Sequence, residues 1–328
     1  MSLPKRKADH ISMSLRKESQ YCISAGFERV QLLHNALPEC SLNEVNLATD
    51  FLGRKISMPL LISAITGGYP KAAAINRQLA AAAQKHKIAL GLGSQRAMLE
   101  NSAAVATYKV RDVAPDIPLL ANIGAAQLKK YSTTQIETLV SAVDADALAV
   151  HLNPLQEVIQ PEGDVDFFGV LAAIEKTVAR LNVPVVVKET GAGISTEVAA
   201  KLAAVGVKWI DVSGAGGTSW SKIEYMRGKA VPGFEEWGIS TVDSVFMCKG
   251  LLPIIASGGV RSGIDAAKAV AIGADMVGAA QPFLAALMKK KLDAELTTWH
   301  KQMKVAAFLT GSKNIAELKK AKYIYYSF

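Results

Sequence analysis

Eight short apolar segments alternate with helix-like segments over most of the chain, and this alternation constrains the fold more than any other feature. Its most regular part spans residues 252–283, where 253–256 and 274–278 are short apolar runs typical of buried strands. A helical pattern joins them, which predicts a right-handed parallel unit. Gly258 and Gly259 follow the first strand, and glycine lets the backbone approach a ligand closely. The next helix offers free N–H groups to a phosphate.

The same alternation upstream predicts a complete barrel. We predict eight strands, at residues 60–64, 88–92, 118–122, 147–151, 184–188, 209–213, 253–257 and 275–279. Helical patterns lie between and after them, near residues 71–86, 101–113, 133–143, 167–181, 195–205, 239–249, 262–272 and, in pieces, 283–310. Such alternation is typical of α/β proteins, and eight apolar strands favour a closed (β/α)8 TIM barrel. An open doubly wound sheet, which usually has fewer strands, is the alternative.

We predict one domain, residues 1–328, in three parts. Residues 1–55 form an N-terminal extension that caps the barrel, residues 56–311 form the barrel, and residues 312–328 form a C-terminal tail. Within the extension, a short helix fits between residues 11 and 29, and residues 47–55 indicate a hairpin strand.

Composition narrows the classes of function. Half of the residues are hydrophobic, yet no apolar run approaches the roughly 20 residues of a membrane span. The polar, basic N-terminus lacks a signal-like apolar segment, so we expect a cytoplasmic protein without a membrane partner. The three cysteines are scattered and show no metal-binding spacing. The net charge of +8 is spread out and not interleaved with aromatics, which argues against nucleic acid and leaves an anionic small substrate or a solvated surface.

Polar side chains follow the apolar strands at the end where barrel enzymes carry their active sites. They comprise hydroxyls, amides, one lysine and one histidine: Ser63, Thr66, Ser94, Gln95, Asn122, His151, Lys188, Ser213 and Thr218. Such a ring suits a flat polar heterocycle, and Lys188 would stand near an edge that becomes anionic on reduction. With a phosphate on the loops after strands 7 and 8, the cofactor that fits is reduced FMN.

Residues 151–157, His-Leu-Asn-Pro-Leu-Gln-Glu, form a second polar cluster after strand 4. Alternation along the strand puts His151 and Asn153 on one side, and Gln156 and Glu157 follow in the loop. Glu157 is a candidate ligand for Mg²⁺, a hard cation that keeps several waters and bridges to phosphate oxygens. The alternative for Glu157 is an ordinary carboxylate in solvent.

Further cations exceed those that the FMN phosphate needs. Arg6, Lys7, His10 and Arg96 suit a second and more heavily charged anion, such as a diphosphate. The alternative for Arg6 and Lys7 is a basic tail.

Long loops follow strand 4 (residues 152–166) and strand 6 (214–237), and such loops are usually lids or binding loops. In the second loop, Trp220 could cover an apolar substrate tail. Glu224 could be an acid or base, or a salt-bridge partner in a lid, and the sequence leaves this open.

These motifs resemble those of the type 2 isopentenyl-diphosphate isomerases, a family of FMN-dependent (β/α)8 barrels. The resemblance covers essentially the whole chain. It is based on these motifs: Arg6-Lys7-X-X-His10, Ala-Ile-Thr-Gly-Gly at 64–68, Gly-Ser-Gln-Arg at 93–96, the cluster at 151–157, Pro-Glu-Gly-Asp at 161–164, Lys188-Glu189 and Gly-Gly-Thr-Ser-Trp at 216–220. Other FMN barrels share the phosphate loops but lack the strand 4 cluster.

The resemblance implies a cofactor site and a substrate site at one mouth. FMN would be held by Ala64, Ile65, Thr66, Ser94, Asn122, Lys188, Ser213, Thr218, Gly259, Arg261, Ala280 and Gln281. The substrate would contact Arg6, Lys7, Ser94, Gln95, Arg96 and Gln156. The catalytic set would be Gln156, His151, Asn153 and His10, and Glu157 would bind Mg²⁺. Gln281 departs from the pattern, because many relatives have a small residue there.

The resemblance also implies a reaction. Members interconvert isopentenyl and dimethylallyl diphosphate, and NADPH keeps their flavin reduced. Because barrels of this family tend to assemble, we expect a homo-oligomer, as a dimer, tetramer or octamer. The alternative function is that of an FMN-dependent oxidoreductase of the 2-hydroxy-acid oxidase type.

Overall fold

The computed structural model describes residues 3–228 and 231–327, apart from the side chains of residues 3–6 and 8. Its strands, numbered along the chain, are β1 (Val30–Leu32), β2 (Thr49–Phe51), β3 (Arg54–Ile56), β4 (Leu60–Ile62), β5 (Ala89–Gly91), β6 (Leu119–Gly124), β7 (Ala147–His151), β8 (Val185–Lys188), β9 (Trp209–Asp211), β10 (Ile254–Ser257), β11 (Met276–Ala279) and β12 (Tyr323–Tyr325).

The α-helices are numbered in the same way. They are α1 (Leu3–Ser14), α2 (Pro70–His86), α3 (Arg96–Glu100), α4 (Ala125–Leu128), α5 (Thr133–Ser141), α6 (Pro154–Ile159), α7 (Val170–Arg180), α8 (Thr196–Ala204), α9 (Trp220–Met226), α10 (Thr241–Cys248), α11 (Gly263–Ile272), α12 (Gln281–Met288), α13 (Leu292–Leu309) and α14 (Ile315–Leu318). Within the described part of the chain, no helix has the length and apolar character needed to cross a bilayer.

Strands β4 to β11 close into one parallel barrel in chain order, which confirms the predicted (β/α)8 fold. The closing pair is β11 and β4, with Val277 opposite Leu60 and Ala279 opposite Ile62. Because all eight strands are parallel, their carboxyl ends meet at one mouth.

The apolar strand runs are explained by burial on both faces. All six residues of β6 are buried, as are all four of β10 and of β11. A strand covered by helices outside and by other strands inside is apolar throughout rather than alternating. Serine caps start several of the covering helices, since Ser195, Ser240 and Ser262 accept N–H hydrogen bonds at the first turns of α8, α10 and α11.

The N-terminal extension differs in part from the prediction. Its α-helix spans Leu3–Ser14, earlier than expected, and short 3₁₀ turns follow at Lys17–Ser19 and Phe27–Arg29. The expected hairpin is present as β2 and β3, and its Phe51 and Ile56 pack in one cluster with residues of the barrel strands.

In the described chain, the α-helix predicted near residues 101–113 does not form. Helix α3 ends at Glu100, and a 3₁₀ helix follows at Ser102–Thr107. Between them, Asn101 is extended and its side chain accepts the Ala103 N–H, which caps the new turn and interrupts the α-helix.

The C-terminal tail is fastened to the extension. Strand β12 pairs antiparallel with β1, and Arg29 beside β1 forms a 2.7 Å ion pair with Asp243 of α10. The Tyr325 hydroxyl accepts from Arg29 Nη1 at 2.7 Å and donates to Asp243 Oδ1 at 2.9 Å. These contacts join three segments that are far apart in sequence.

We therefore expect Tyr325→Phe to lower the free energy of unfolding by about 1–2 kcal/mol, because two partners lose a hydrogen bond. Urea denaturation measures this change. Tyr326→Phe is the control, since its hydroxyl contacts the exposed Gln31, and it should cost less than about 0.5 kcal/mol. Equal losses in the two variants would contradict the role given to Tyr325.

Candidate active site

The mouth of the barrel opens into a cavity of about 280 Å³. Most of the residues that the sequence nominated line it: Lys7, His10, Ala64, Ile65, Thr66, Ser94, Arg96, Asn122, His151, Asn153, Gln156, Glu157, Lys188, Ser213, Thr218, Gly259, Arg261, Ala280 and Gln281. Strand ends, both long loops and helix α1 all contribute. The side chain of Arg6 lies outside the described residues.

Gln95 is the exception, and its expected contact with a diphosphate is corrected. Its side chain is fully buried away from the cavity, at 0% exposure. The amide accepts the Asn122 N–H at 2.8 Å and donates to the Leu139 carbonyl at 3.3 Å. Gln95 therefore fixes the end of β6 from behind. The sequence shows that residues 94–96 are polar and follow a strand, but it does not show that Gln95 alone points away from the cavity.

Glycines form a tight cradle where the loops after β9 and β10 meet. Gly258 and Gly259 have φ of 97° and 68°, which side chains rarely adopt. A Cβ at Gly258 would lie 2.1 Å from the Gly214 oxygen, and one at Gly259 would lie 2.5 Å from the Gly216 oxygen. Backbone thus packs on backbone here, as in the loops that hold phosphate groups.

A cation and a helix N-terminus complete this end of the cavity. Arg261 donates to the amide oxygens of Gln281 and Gln20, each at 2.5 Å. These neutral partners orient the guanidinium without cancelling its charge, and α12 begins at Gln281 beside it. Cradle, guanidinium and helix N-terminus together fit the phosphate of FMN. The family pattern has a small residue at position 281, and here the longer Gln281 side chain orients Arg261.

Lys188 stands at the end of β8, with its Nζ donating to the Glu189 carbonyl at 2.5 Å. The Glu189 carboxylate accepts backbone N–H groups from residues 190–192 at 2.5–2.7 Å, and burial raises the pKa of Glu189 to about 7. This carboxylate shapes the loop whose Thr190 and Gly191 line the cavity. Lys188 and this loop flank the place for a heterocycle.

His151 faces the cavity as a neutral ring. The Asn122 Nδ2 donates to the Leu92 carbonyl at 2.9 Å, so the Asn122 Oδ1 accepts from His151 Nδ1 at 2.8 Å. Burial, with the positive charges of Lys188 and Lys7, lowers the pKa of His151 to about 3. The proton therefore sits on Nδ1, and Nε2 is a hydrogen-bond acceptor.

Glu157 is oriented by amides in the loop after β7. It accepts from Asn153 Nδ2 at 2.8 Å, from Gln160 Nε2 at 2.6 Å and from the Asp164 N–H at 2.7 Å. The described residues contain no group of three or more His, Cys, Asp or Glu side chains that could hold a metal. One carboxylate at an anion-binding cavity fits Mg²⁺, which keeps waters and takes phosphate oxygens as its other ligands.

The roof of the cavity is made by α1 and α9. His10 Nε2 lies 3.0 Å from Glu224 Oε1, and its ring meets the Trp220 ring edge-on at 5.1 Å. Glu224 also pairs with Arg227. Burial acts to raise the pKa of Glu224, but the His10 hydrogen bond and the charges of His10 and Arg227 outweigh it and lower that pKa. Of the two roles left open for Glu224, this geometry favours the lid salt bridge.

Two residues at or beside the site, Tyr108 and Gln127, were missed by sequence reasoning. Tyr108 is buried, and its hydroxyl accepts a hydrogen bond from Lys7 Nζ at 3.0 Å and donates one to the Ser94 carbonyl at 2.6 Å. Gln127 lines the cavity because Gly124 leaves room for it, since a Cβ there would lie 2.0 Å from Gln127 Oε1. In the sequence, Gly124 was the feature that could have indicated space for Gln127. Tyr108, in an irregular segment, had no such feature.

Comparison with known proteins agrees with this geometry. The chain matches the FMN-dependent dehydrogenases over residues 2–165 and 170–325, and it belongs to that family. Its fold is that of mandelate oxidase bound to (S)-2-phenylpropionate, at a TM-score of 0.68 and 16% identity over 100% of this chain and 99% of that one. At this identity the likeness shows the fold alone.

Within the family, curated relatives define a narrower group. A Synechococcus protein is 48% identical over 97% of this chain and 95% of its own length, and a Pyrococcus abyssi protein is 46% identical over 96% and 90%. Both are named isopentenyl-diphosphate delta-isomerase, as is a Rickettsia felis protein at 46% over 97% and 95%. The chain belongs to the type 2 isopentenyl-diphosphate delta-isomerases.

If Glu224 holds the roof, Glu224→Gln will loosen α1. We expect amide hydrogen exchange in α1 to accelerate about tenfold, because His10 of α1 loses its anionic partner. Mass spectrometry of exchanged peptides measures this. Glu236→Gln is the control: Glu236 accepts the N–H groups of Cys22 and Ile23, so exchange should rise there instead. Unchanged protection of α1 in Glu224→Gln would contradict the role.

Proposed function

We propose that the protein interconverts isopentenyl diphosphate and dimethylallyl diphosphate, with reduced FMN, Mg²⁺ and NADPH as the flavin reductant. The observation that carries the proposal is that one cavity presents two sets of anion-binding groups. One is the glycine cradle with Arg261, and the other is Lys7 with Arg96 near the end of β5. The names of the relatives, at 45% identity and above, support the reaction.

The first set suits the single phosphate of FMN, which leaves its ring at the centre of the mouth beside Lys188. The second suits a diphosphate, and Glu157 would carry the Mg²⁺ that bridges its oxygens. Bound reduced FMN would supply an electron-rich ring and a proton at N5 for a reaction that involves no net redox change.

The chain's own side chains position the five-carbon part. The Asn153 amide donates to Gln156 Oε1 at 3.3 Å, which orients Gln156 at the cavity wall. His151 would accept a hydrogen bond at Nε2 without bringing a charge. His10 and Trp220 close the roof, and a dry cavity strengthens the interactions of a developing positive charge.

The test is an anaerobic assay with purified protein, FMN, NADPH, Mg²⁺ and ¹³C-labelled isopentenyl diphosphate. We expect NMR to show dimethylallyl diphosphate, and the yellow flavin to bleach on addition of NADPH. Lactate and mandelate serve as the comparison, because an oxidase would be reduced by its own substrate. Bleaching by a 2-hydroxy acid without isomer formation would overturn the proposal.

Glu157→Gln should raise the Mg²⁺ concentration for half-maximal activity at least tenfold, because a neutral amide replaces the anionic ligand. Activity is measured across a Mg²⁺ titration. Asp166→Asn is the control, since this exposed carboxylate of the same loop pairs with Lys129. An unchanged titration in Glu157→Gln would remove Glu157 from the metal site.

A further inference from the structure

A second, smaller cavity lies inside the barrel under the active-site cavity. Its volume is about 10 Å³. The two cavities share Ser63, Ala64, Asn122 and Lys188 among their lining residues, so the smaller one adjoins the place proposed for the FMN ring. Asp211 lines the smaller cavity and is not among the lining residues of the larger one. An anionic group thus stands behind the Lys188 ammonium.

The strand register explains this placement. Lys188 on β8 lies directly opposite Asp211 on β9, and neighbours in register on parallel strands share one face of the sheet. Here that face is the barrel interior. The Asp211 side chain is 2% exposed, and its Oδ2 lies 3.9 Å from Lys188 Nζ. The separation exceeds a hydrogen bond but allows strong attraction between charges away from bulk water.

The remaining contacts of Asp211 favour its charged form. Its Oδ1 accepts from the Ser257 hydroxyl at 2.5 Å. Burial raises the pKa of Asp211, and the charge of Lys188 and the hydrogen bond from Ser257 oppose that rise. A buried carboxylate without such partners would be strongly disfavoured. Of this pair, Lys188 lies nearer to the active-site cavity, which it lines, and Asp211 lies behind it.

We propose that Asp211 is a positioning residue for the reaction: its carboxylate holds the Lys188 ammonium in place and limits how strongly that cation stabilises the reduced cofactor. The inference rests on the proposed function, because it takes the bound heterocycle to be FMN. An unopposed ammonium would favour the anionic reduced ring more strongly and make that ring a weaker base. Asp211 offsets part of this charge, so that the bound ring stays electron-rich.

The test compares how tightly the protein binds oxidised and reduced FMN. Apoprotein is titrated with each form, anaerobically for the reduced one, and the ratio of the two dissociation constants is taken. In Asp211→Asn we expect this ratio to shift about tenfold in favour of reduced FMN, because a negative charge is lost. In Lys188→Met it should shift about tenfold the other way, because a positive charge is lost.

Ile255→Val is the matched control, because it alters the same small cavity without changing charge, and Ile255 does not line the active-site cavity. Its ratio should stay within twofold of that of the wild-type protein. A ratio within twofold in Asp211→Asn, or an equal shift in Ile255→Val, would overturn the inference. If Asp211 had a purely structural role, Asp211→Asn would weaken the binding of both forms of FMN equally and leave the ratio unchanged. That result would also contradict the inference.

A measurement on the wild-type protein covers the case in which Asp211→Asn does not fold. The infrared difference spectrum between the oxidised and reduced states, with ¹³C-labelled aspartate, reports the protonation of buried aspartates. No band from a protonated aspartate is expected in either state, and assignment of one to Asp211 would overturn the inference. Failure of the wild-type protein to bind FMN would instead overturn the proposed function, and this inference with it.

Discussion

The site depends on the pairing of β11 with β4, which closes the barrel. This pairing brings the last strand of the barrel beside the first, although they are more than 200 residues apart. At the closure, a Cβ on Gly278 would lie 2.6 Å from Ser63 Oγ, so a larger residue in the seam would displace the Ser63 hydroxyl. Once the seam is closed, the glycine cradle after β10 and the start of α12 face the same opening as the loops after β4 and β5. An open sheet would leave these groups at opposite edges.

The closed mouth also determines how charges are held. In the frame of the molecule, opposite charges pair directly, as in Arg54 with Asp146 and Arg29 with Asp243. At the cavity, Arg261 and Glu157 are instead oriented by amides. Amide partners fix a charged group in space without neutralising it, so its charge is still directed at a ligand. Arg96 and Lys188 differ from these two, because each faces a carboxylate, Glu100 and Asp211 respectively.

The alternation of strands and helices predicted the fold because chain order and spatial order coincide in a (β/α)8 barrel. For the same reason, polar strand ends predicted most of the cavity lining. The pattern fails where position depends on the path of irregular backbone. Gln20 comes from the extension, and Gln95 turns inward just before α3. Asp211 lies within an apolar strand, and only the strand register shows that it is opposite Lys188.

The barrel alone does not distinguish an isomerase from an oxidase, because a hydroxy-acid oxidase shares the fold. The difference must lie in what surrounds the mouth. Oxidation of a 2-hydroxy acid needs a strong base, and a base is most effective when its pKa lies near the working pH. With a pKa of about 3, the His151 ring is too weak a base for that task. Held neutral by Asn122 and flanked by Lys188 and Lys7, it is suited instead to accept a hydrogen bond beside an anionic ligand. The neutral state of this one histidine thus argues against its serving as the base of a hydroxy-acid oxidase.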